Sequence, residues 1–159
     1  MQFKITDLCA NDIAKAAVLW ERGWHEAHAT LVPPELVKLR TSESFAKRLE
    51  NFIGKIRISI DDSEVLGICM TKEDELYQMY VAPQARGAGL AQALMLDAES
   101  RLAEAGHNDA WLACAVGNDR AARFYAKAGW RNAGLRTVEL DTMSGPFPLK
   151  IWRYEKIFS

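Results

Sequence analysis

The chain has 159 residues, 20 of them Lys or Arg and 21 Asp or Glu, for a formal net charge of -1. Such a length holds one ordinary domain with a substantial core, and the near-neutral balance gives no reason to expect nucleic acid or an acidic membrane as partner. Shares of 49% hydrophobic and 26% charged residues are those of a soluble globular protein; no apolar run approaches the roughly 18 residues that span a bilayer, and Asp7, Asp12 and Lys15 interrupt the start too early for a leader.

Residues 1–7 alternate, with Phe3 and Ile5 on one face, and predict a strand. Asn11 is placed to cap a helix whose apolar face carries Ile13, Ala17, Trp20 and Trp24. Pro33-Pro34 opens a second helical stretch that runs to about Ile53, interrupted near Thr41 to Ser44, where Thr41 or Ser42 can recap it. Strands at Lys55 to Ile60 and Val65 to Thr71 follow, joined by the turn-forming Asp61-Asp62-Ser63. An acidic turn, Lys72 to Glu75, leads into a third strand, Leu76 to Val81, completing a meander most simply antiparallel.

A long helix is predicted from Gly89 to Ala105, with Leu90, Ala93, Leu94, Ala98 and Leu102 inward and Gly106 as its left-handed stop. Trp111 to Val116 reads as a strand covered on both faces, and Asp119 to Ala128 as a helix ended by Gly129. Strands near Leu135 to Leu140 and Leu149 to Phe158 close the chain around Ser144-Gly145-Pro146-Phe147-Pro148. No repeat or linker divides it, so residues 1–159 are expected to form a single α+β domain. Cys9, Cys69 and Cys114 each sit in an apolar or element-like stretch and read as buried reduced thiols, which points to the cytoplasm. The three histidines do not combine with them at any metal-ligand spacing, so no metal is expected.

Between the third meander strand and the long helix lies Gln84-Ala85-Arg86-Gly87-Ala88-Gly89. A helix start leaves backbone N–H groups without intrahelical partners, and the dipole adds positive potential, so the segment is a potential anion site. Gly87 and Gly89 permit unusual dihedrals and close backbone approach, and Arg86 can add a charge-assisted bond. The dinucleotide fingerprint fails because Gln92 stands where it needs a small residue. The P-loop fails for want of a lysine.

Val81-x-Pro83 followed by Gln84-x-x-Gly87-x-Gly89 resembles the acetyl-CoA-binding signature of the GNAT (Gcn5-related N-acetyltransferase) superfamily. A second family block follows in order: Asn118, Ala121, Phe124-Tyr125, then Gly129-Trp130. The resemblance implies an acyl-CoA acyltransferase fold, a mixed and mostly antiparallel sheet of about six or seven strands flanked by helices. It further implies acetyl-CoA as co-substrate and acetyl transfer to an amine.

By that resemblance, Arg86, Gly87, Ala88, Gly89, Leu90 and Ala91 bind the CoA pyrophosphate, while the main chain of Met79, Tyr80 and Val81, at a strand that splays from its neighbour, runs along the pantetheine. Tyr125 matches the tyrosine that protonates the departing thiolate, and Asn118 serves as helix cap, cofactor contact or both. Glu75 stands where the histone-acetylating branch places its base, and alternation gives Glu75, Tyr77 and Met79 a common face. A base or water chain is needed because an amine with pKa about 10.4 is neutral in roughly one molecule in two thousand at pH 7. Trp24, His25 and His28 fall in the region that walls the acceptor pocket in this family; Trp20 and Trp24 read first as core. A small-molecule amine is the expected acceptor; pairing into a homodimer is common in the family, and the sequence leaves the oligomeric state open. A protein N-terminus or lysine is the alternative acceptor, and a non-catalytic acyl-CoA sensor the alternative class.

Overall fold

The structure, a computed structural model, describes residues 3–158. Strand β1 covers only Ile5–Asp7 of the alternating N-terminal stretch, and residues 1 and 2 of that expected strand lie outside the described residues. A short 3-10 turn, Ala10–Asp12, takes the place of the expected Asn11 cap, and α1 runs from Ile13 to His28. Pro34–Leu39 forms α2, opened by its proline, and Ser42–Asn51 forms α3. Thr41 recaps the chain between them, its Oγ1 accepting from the Ser44 N–H at 3.2 Å.

Strands β2 (Ile56–Asp61), β3 (Glu64–Lys72) and β4 (Glu75–Val81) form the antiparallel meander. Then come α4 (Leu90–Glu104), β5 (Asp109–Ala115), α5 (Asp119–Lys127), β6 (Arg131–Leu140) and β7 (Phe147–Ile157). The seven strands make one sheet in the order β1-β2-β3-β4-β5-β7-β6, antiparallel except where β4 meets β5. Pro148 falls within β7, opposite Glu139 of β6 and beyond the reach of β5, which ends opposite Ile151. A proline there removes no ladder bond on the β5 side.

Register shows which helix covers which face. Gly67 of β3 and Val81 of β4 are paired and share a face; a Cβ on Gly67 would meet Leu94 of α4 at 2.7 Å. The next pair, Ile68 and Tyr80, faces the other way, and Tyr80 lies against Gly23 of α1. Helix α4 therefore covers one face and α1 with α3 the other. The apolar spacing of α4 places Leu90, Leu94, Ala98 and Leu102 inward, joined by Met95, while Ala93, also expected inward, is only half-buried. On the opposite face Trp20, Phe45 and Leu49 pack over Ile56, Ile58, Ile68 and Met70, with Trp20 and Phe45 edge-on at 4.9 Å.

Cys69 and Cys114 are buried, but Cys9 is exposed, contrary to expectation. Leu8, 4% exposed, takes the inward position where the chain leaves β1.

Candidate active site

Strands β4 and β5 pair at a single position, Glu75 with Trp111, where the Trp111 N–H donates to the Asp74 carbonyl at 3.2 Å. Beyond that rung the strands diverge. The β5-facing edge of residues 76–81 is left open along a cleft of ≈ 710 Å³, whose walls include Met79, Tyr80, Val81, Arg86, Asn118 and Tyr125. An open strand edge in a cleft accepts an extended amide-bearing chain as an added strand.

At the end of β4 the chain makes a 3-10 turn, Pro83–Ala85, and passes through Gly87 and Gly89 at φ 81 and 90 before α4 begins. Both glycines hold a left-handed conformation that other residues adopt at a cost, and a Cβ on either would meet nothing within 4 Å. The space over the helix start is open, and the first helical bond is Ala93 N–H to the Gly89 carbonyl at 3.0 Å. N–H groups ahead of that bond are donors for an anion. Arg86 differs from its neighbours: its backbone N–H donates to the Pro83 carbonyl at 3.2 Å, and its Nη1 pairs with Glu26 of α1 at 3.0 Å. Arg86 is thus available to a phosphate through its side chain, in exchange for Glu26. Gly89→Ala is expected to lower stability by about 1 kcal/mol through the strained dihedral and to weaken acetyl-CoA binding about tenfold. Thermal melts and calorimetry read the two effects, and unchanged affinity would place the pyrophosphate elsewhere.

Tyr125 stands on α5, capped by Asn118, whose Oδ1 accepts from the Ala121 N–H at 3.4 Å. Its phenol packs 5.8 Å from the Tyr154 ring and reaches the cleft. Burial first, and then the Cys114 thiol, raise its pKa above the ordinary phenol range, so it holds its proton throughout neutral pH.

Glu75 lies at the apex of the divergence, paired across β3 with Lys72. Burial pushes its carboxyl up to about 7, with Asp74 and Asp141 reinforcing the rise and Lys72 and Arg153 opposing it. The strand carries a bulge here: Met70 pairs with Gln78, but Thr71 pairs with Leu76, leaving Tyr77 as the extra residue. The expected common face of Glu75, Tyr77 and Met79 is therefore corrected. Met79 faces α4, whereas Glu75 turns to the α1 side with Gln78 and Tyr80. Tyr77 joins them, its hydroxyl accepting from Arg48 of α3 at 2.9 Å.

Trp24 is 5% exposed, a core residue whose edge also lines the cleft. His28 lines it too; its Nδ1 lies 3.0 Å from the Trp24 carbonyl and 3.4 Å from the Tyr80 hydroxyl, and burial lowers its pKa. His25 instead holds the chain: its Nε2 contacts the Arg40 carbonyl at 3.0 Å. The structure adds Arg40 to this wall beside Tyr77, with Arg48, Lys72 and Asp141 behind it: Arg48 donates to the Tyr77 hydroxyl, Arg40 donates to the Asp141 carbonyl, and Lys72 donates to the Asp141 carboxylate. None belongs to a motif, and no spacing in the sequence singles them out.

A split strand pair beside a glycine-bent helix start offers an open strand edge to an amide-bearing chain and N–H donors to an anion, the two features by which an acyl-CoA-dependent transferase would hold its co-substrate. The model of the acetyltransferase (GNAT) family matches residues 13–130, and the chain belongs to that family. An uncharacterised N-acetyltransferase of Mycobacterium bovis is 33% identical over 105 residues, 63% of this chain and 67% of that protein. Among solved structures, a GCN5-related N-acetyltransferase from Rhodopseudomonas palustris superposes with a TM-score of 0.77 at 19% identity, covering 99% of this chain and 97% of that one. A GNAT phosphinothricin acetyltransferase from Sinorhizobium meliloti, in complex with acetyl-CoA, gives 0.74 at 16% identity, covering 100% and 90%. The protein is an acetyl-CoA-dependent N-acetyltransferase, with acetyl-CoA as co-substrate.

Proposed function

We propose that the enzyme acetylates a small primary amine by direct attack in a ternary complex, acting as one domain in the cytoplasm. The observation that carries this is the placement of Glu75 and Tyr125 on the walls of one cleft opened by the β4–β5 divergence. The amine nitrogen bonds to the thioester carbonyl carbon as Glu75, directly or through water, accepts its proton. The carbon–sulfur bond then breaks, and Tyr125 donates its proton to the leaving thiolate. The β4 main chain from Met79 to Val81 lies along the pantetheine, and its N–H groups are suited to polarise the carbonyl. The pyrophosphate rests on Gly87, Ala88, Gly89, Leu90 and Ala91, with Arg86 beside it.

A cleft walled by Trp24, Tyr77, Tyr80 and His28 suits a small ligand better than a polypeptide segment. No helix among the described residues is long and apolar enough to cross a membrane. Thiol release from acetyl-CoA, measured with amines, amino acids, polyamines and peptides, tests the reading. Acceleration by a small amine is the expected result; acceleration by peptides alone would overturn the small-molecule assignment.

A further inference from the structure

Two cations are buried beside the acceptor wall without an anion. Arg40 is 3% exposed and Arg48 8%, the buried charged side chains among the described residues. Arg40, at the end of α2, donates from Nη1 to the Asp141 carbonyl at 2.7 Å and stands 5.9 Å from the Trp24 ring, leaving Nε without a partner. Arg48 donates from Nη2 to the Tyr77 hydroxyl and lies 4.3 Å from the Trp20 ring, leaving Nε and Nη1 without partners. Neither guanidinium forms a salt bridge among the described residues. The Asp141 carboxylate makes its ion pair with Lys72 Nζ at 3.1 Å and acts on Arg40 only from a distance.

Buried charges are normally paired or fully hydrogen-bonded. Here burial first, and then the adjacent Arg48 charge, push the Arg40 guanidinium down to about 10, against the smaller opposing pull of Tyr77, Tyr80 and Asp141. Arg40, Tyr77 and Glu75 all line the same cleft. Because the Tyr77 oxygen accepts from Arg48, its own proton is free to be donated. The bulge at Tyr77 brings this donor to the side of the sheet that carries Glu75.

We propose that the acceptor is an amino acid, or a comparably short amine bearing a carboxylate, which Arg40 and Tyr77 receive while its amine points to Glu75. This rests on the small-amine reading above. Arg40 brings to the cleft a guanidinium with no salt-bridge partner and Tyr77 a hydroxyl donor, the pair of groups that holds a carboxylate by charge-assisted bonds, and both share that cleft with Glu75. Arg48 is a positioning residue that fixes the Tyr77 hydroxyl.

The test compares kcat/KM for the L-amino acids with that for their decarboxylated amines, amides and phosphonate analogues, by thiol release. At least one amino acid is expected to exceed its decarboxylated amine by about 100-fold, the discrimination of a charge-assisted bond. In Arg40→Gln that ratio should collapse, chiefly through KM for the amino acid. Tyr77→Phe, which removes one atom, should lower the ratio in the same direction and guards against misfolding of the Arg40 variant. Arg48→Lys should keep more of the preference than Arg48→Gln. A phosphonate preferred over the carboxylate would overturn the carboxylate assignment. Amines acetylated as well as or better than amino acids, or a ratio untouched by both variants, would overturn the anionic acceptor and leave the amine acetyltransferase standing. Failure of every small acceptor would sink both.

Discussion

Glu75→Gln is expected to lower kcat/KM at pH 7 by about 100- to 1,000-fold, within the range of general base catalysis, and to change the shape of the pH profile. For a base at Glu75 the carboxylate is the active form. With its pKa raised to about 7 by burial, and by Asp74 and Asp141 against the opposing pull of Lys72 and Arg153, activity should rise through about pH 7. It should then stay level until the acceptor loses its own proton near pH 10. Below the rise Glu75 is protonated and accepts nothing. The glutamine variant keeps shape and volume but has no titrating base, so its activity should follow the free amine fraction, gaining about tenfold per pH unit from about 6 to 9. The deficit is largest at low pH and narrows as the amine arrives neutral. A variant with the wild-type limb near 7 and comparable activity would remove Glu75 from the chemistry and point to His28 or a water chain.

The parts of this site differ in how far they can be read from the chain. The cofactor side is local: Gly87 and Gly89 precede an apolar period of four that becomes α4, so strand, turn and helix start are written within about twenty residues of each other. Asn118 and Tyr125 lie within one capped helix and are equally legible. The acceptor side is not local. The face of Glu75 depends on a bulge at Tyr77, which only the pairing with β3 reveals. Simple alternation grouped Glu75 with Met79 and erred by one register step. Arg40 and Arg48 look like solvated charges at helix ends; their burial follows from the packing of α1 and α3 and from Asp141, distant in sequence. The same lack of local signal hid the start of β6. There Gly134, at φ 103, carries the strand across a register shift, with its N–H donating to Asn132 Oδ1 at 2.8 Å.

Tyr125→Phe is expected to reduce kcat about 100-fold, the lower part of the general-acid range, while acetyl-CoA affinity stays within about twofold. The modest size follows from the leaving group. A thiol with pKa near 8.5 departs as a thiolate of tolerable stability, so its proton is needed to prevent return of the intermediate rather than to make departure possible. Burial holds the Tyr125 pKa above its ordinary value, so the phenol stays protonated at every pH at which the enzyme works and adds no descending limb. Among the described residues its hydroxyl makes no intramolecular hydrogen bond, so removing one oxygen leaves no partner unsatisfied. The melting temperature should therefore shift by no more than about 2 °C, as for a change well under 1 kcal/mol. Loss of turnover with unchanged melting and unchanged acetyl-CoA binding separates a proton donor from a packing residue. A parallel loss of stability and affinity would mark Tyr125 as part of the cofactor wall, and full activity would assign the proton to solvent. Combined with Glu75→Gln, the substitution should reduce activity by less than the product of the single effects if proton removal and proton delivery act in one step. A multiplicative loss would place them in successive steps, with a tetrahedral intermediate between.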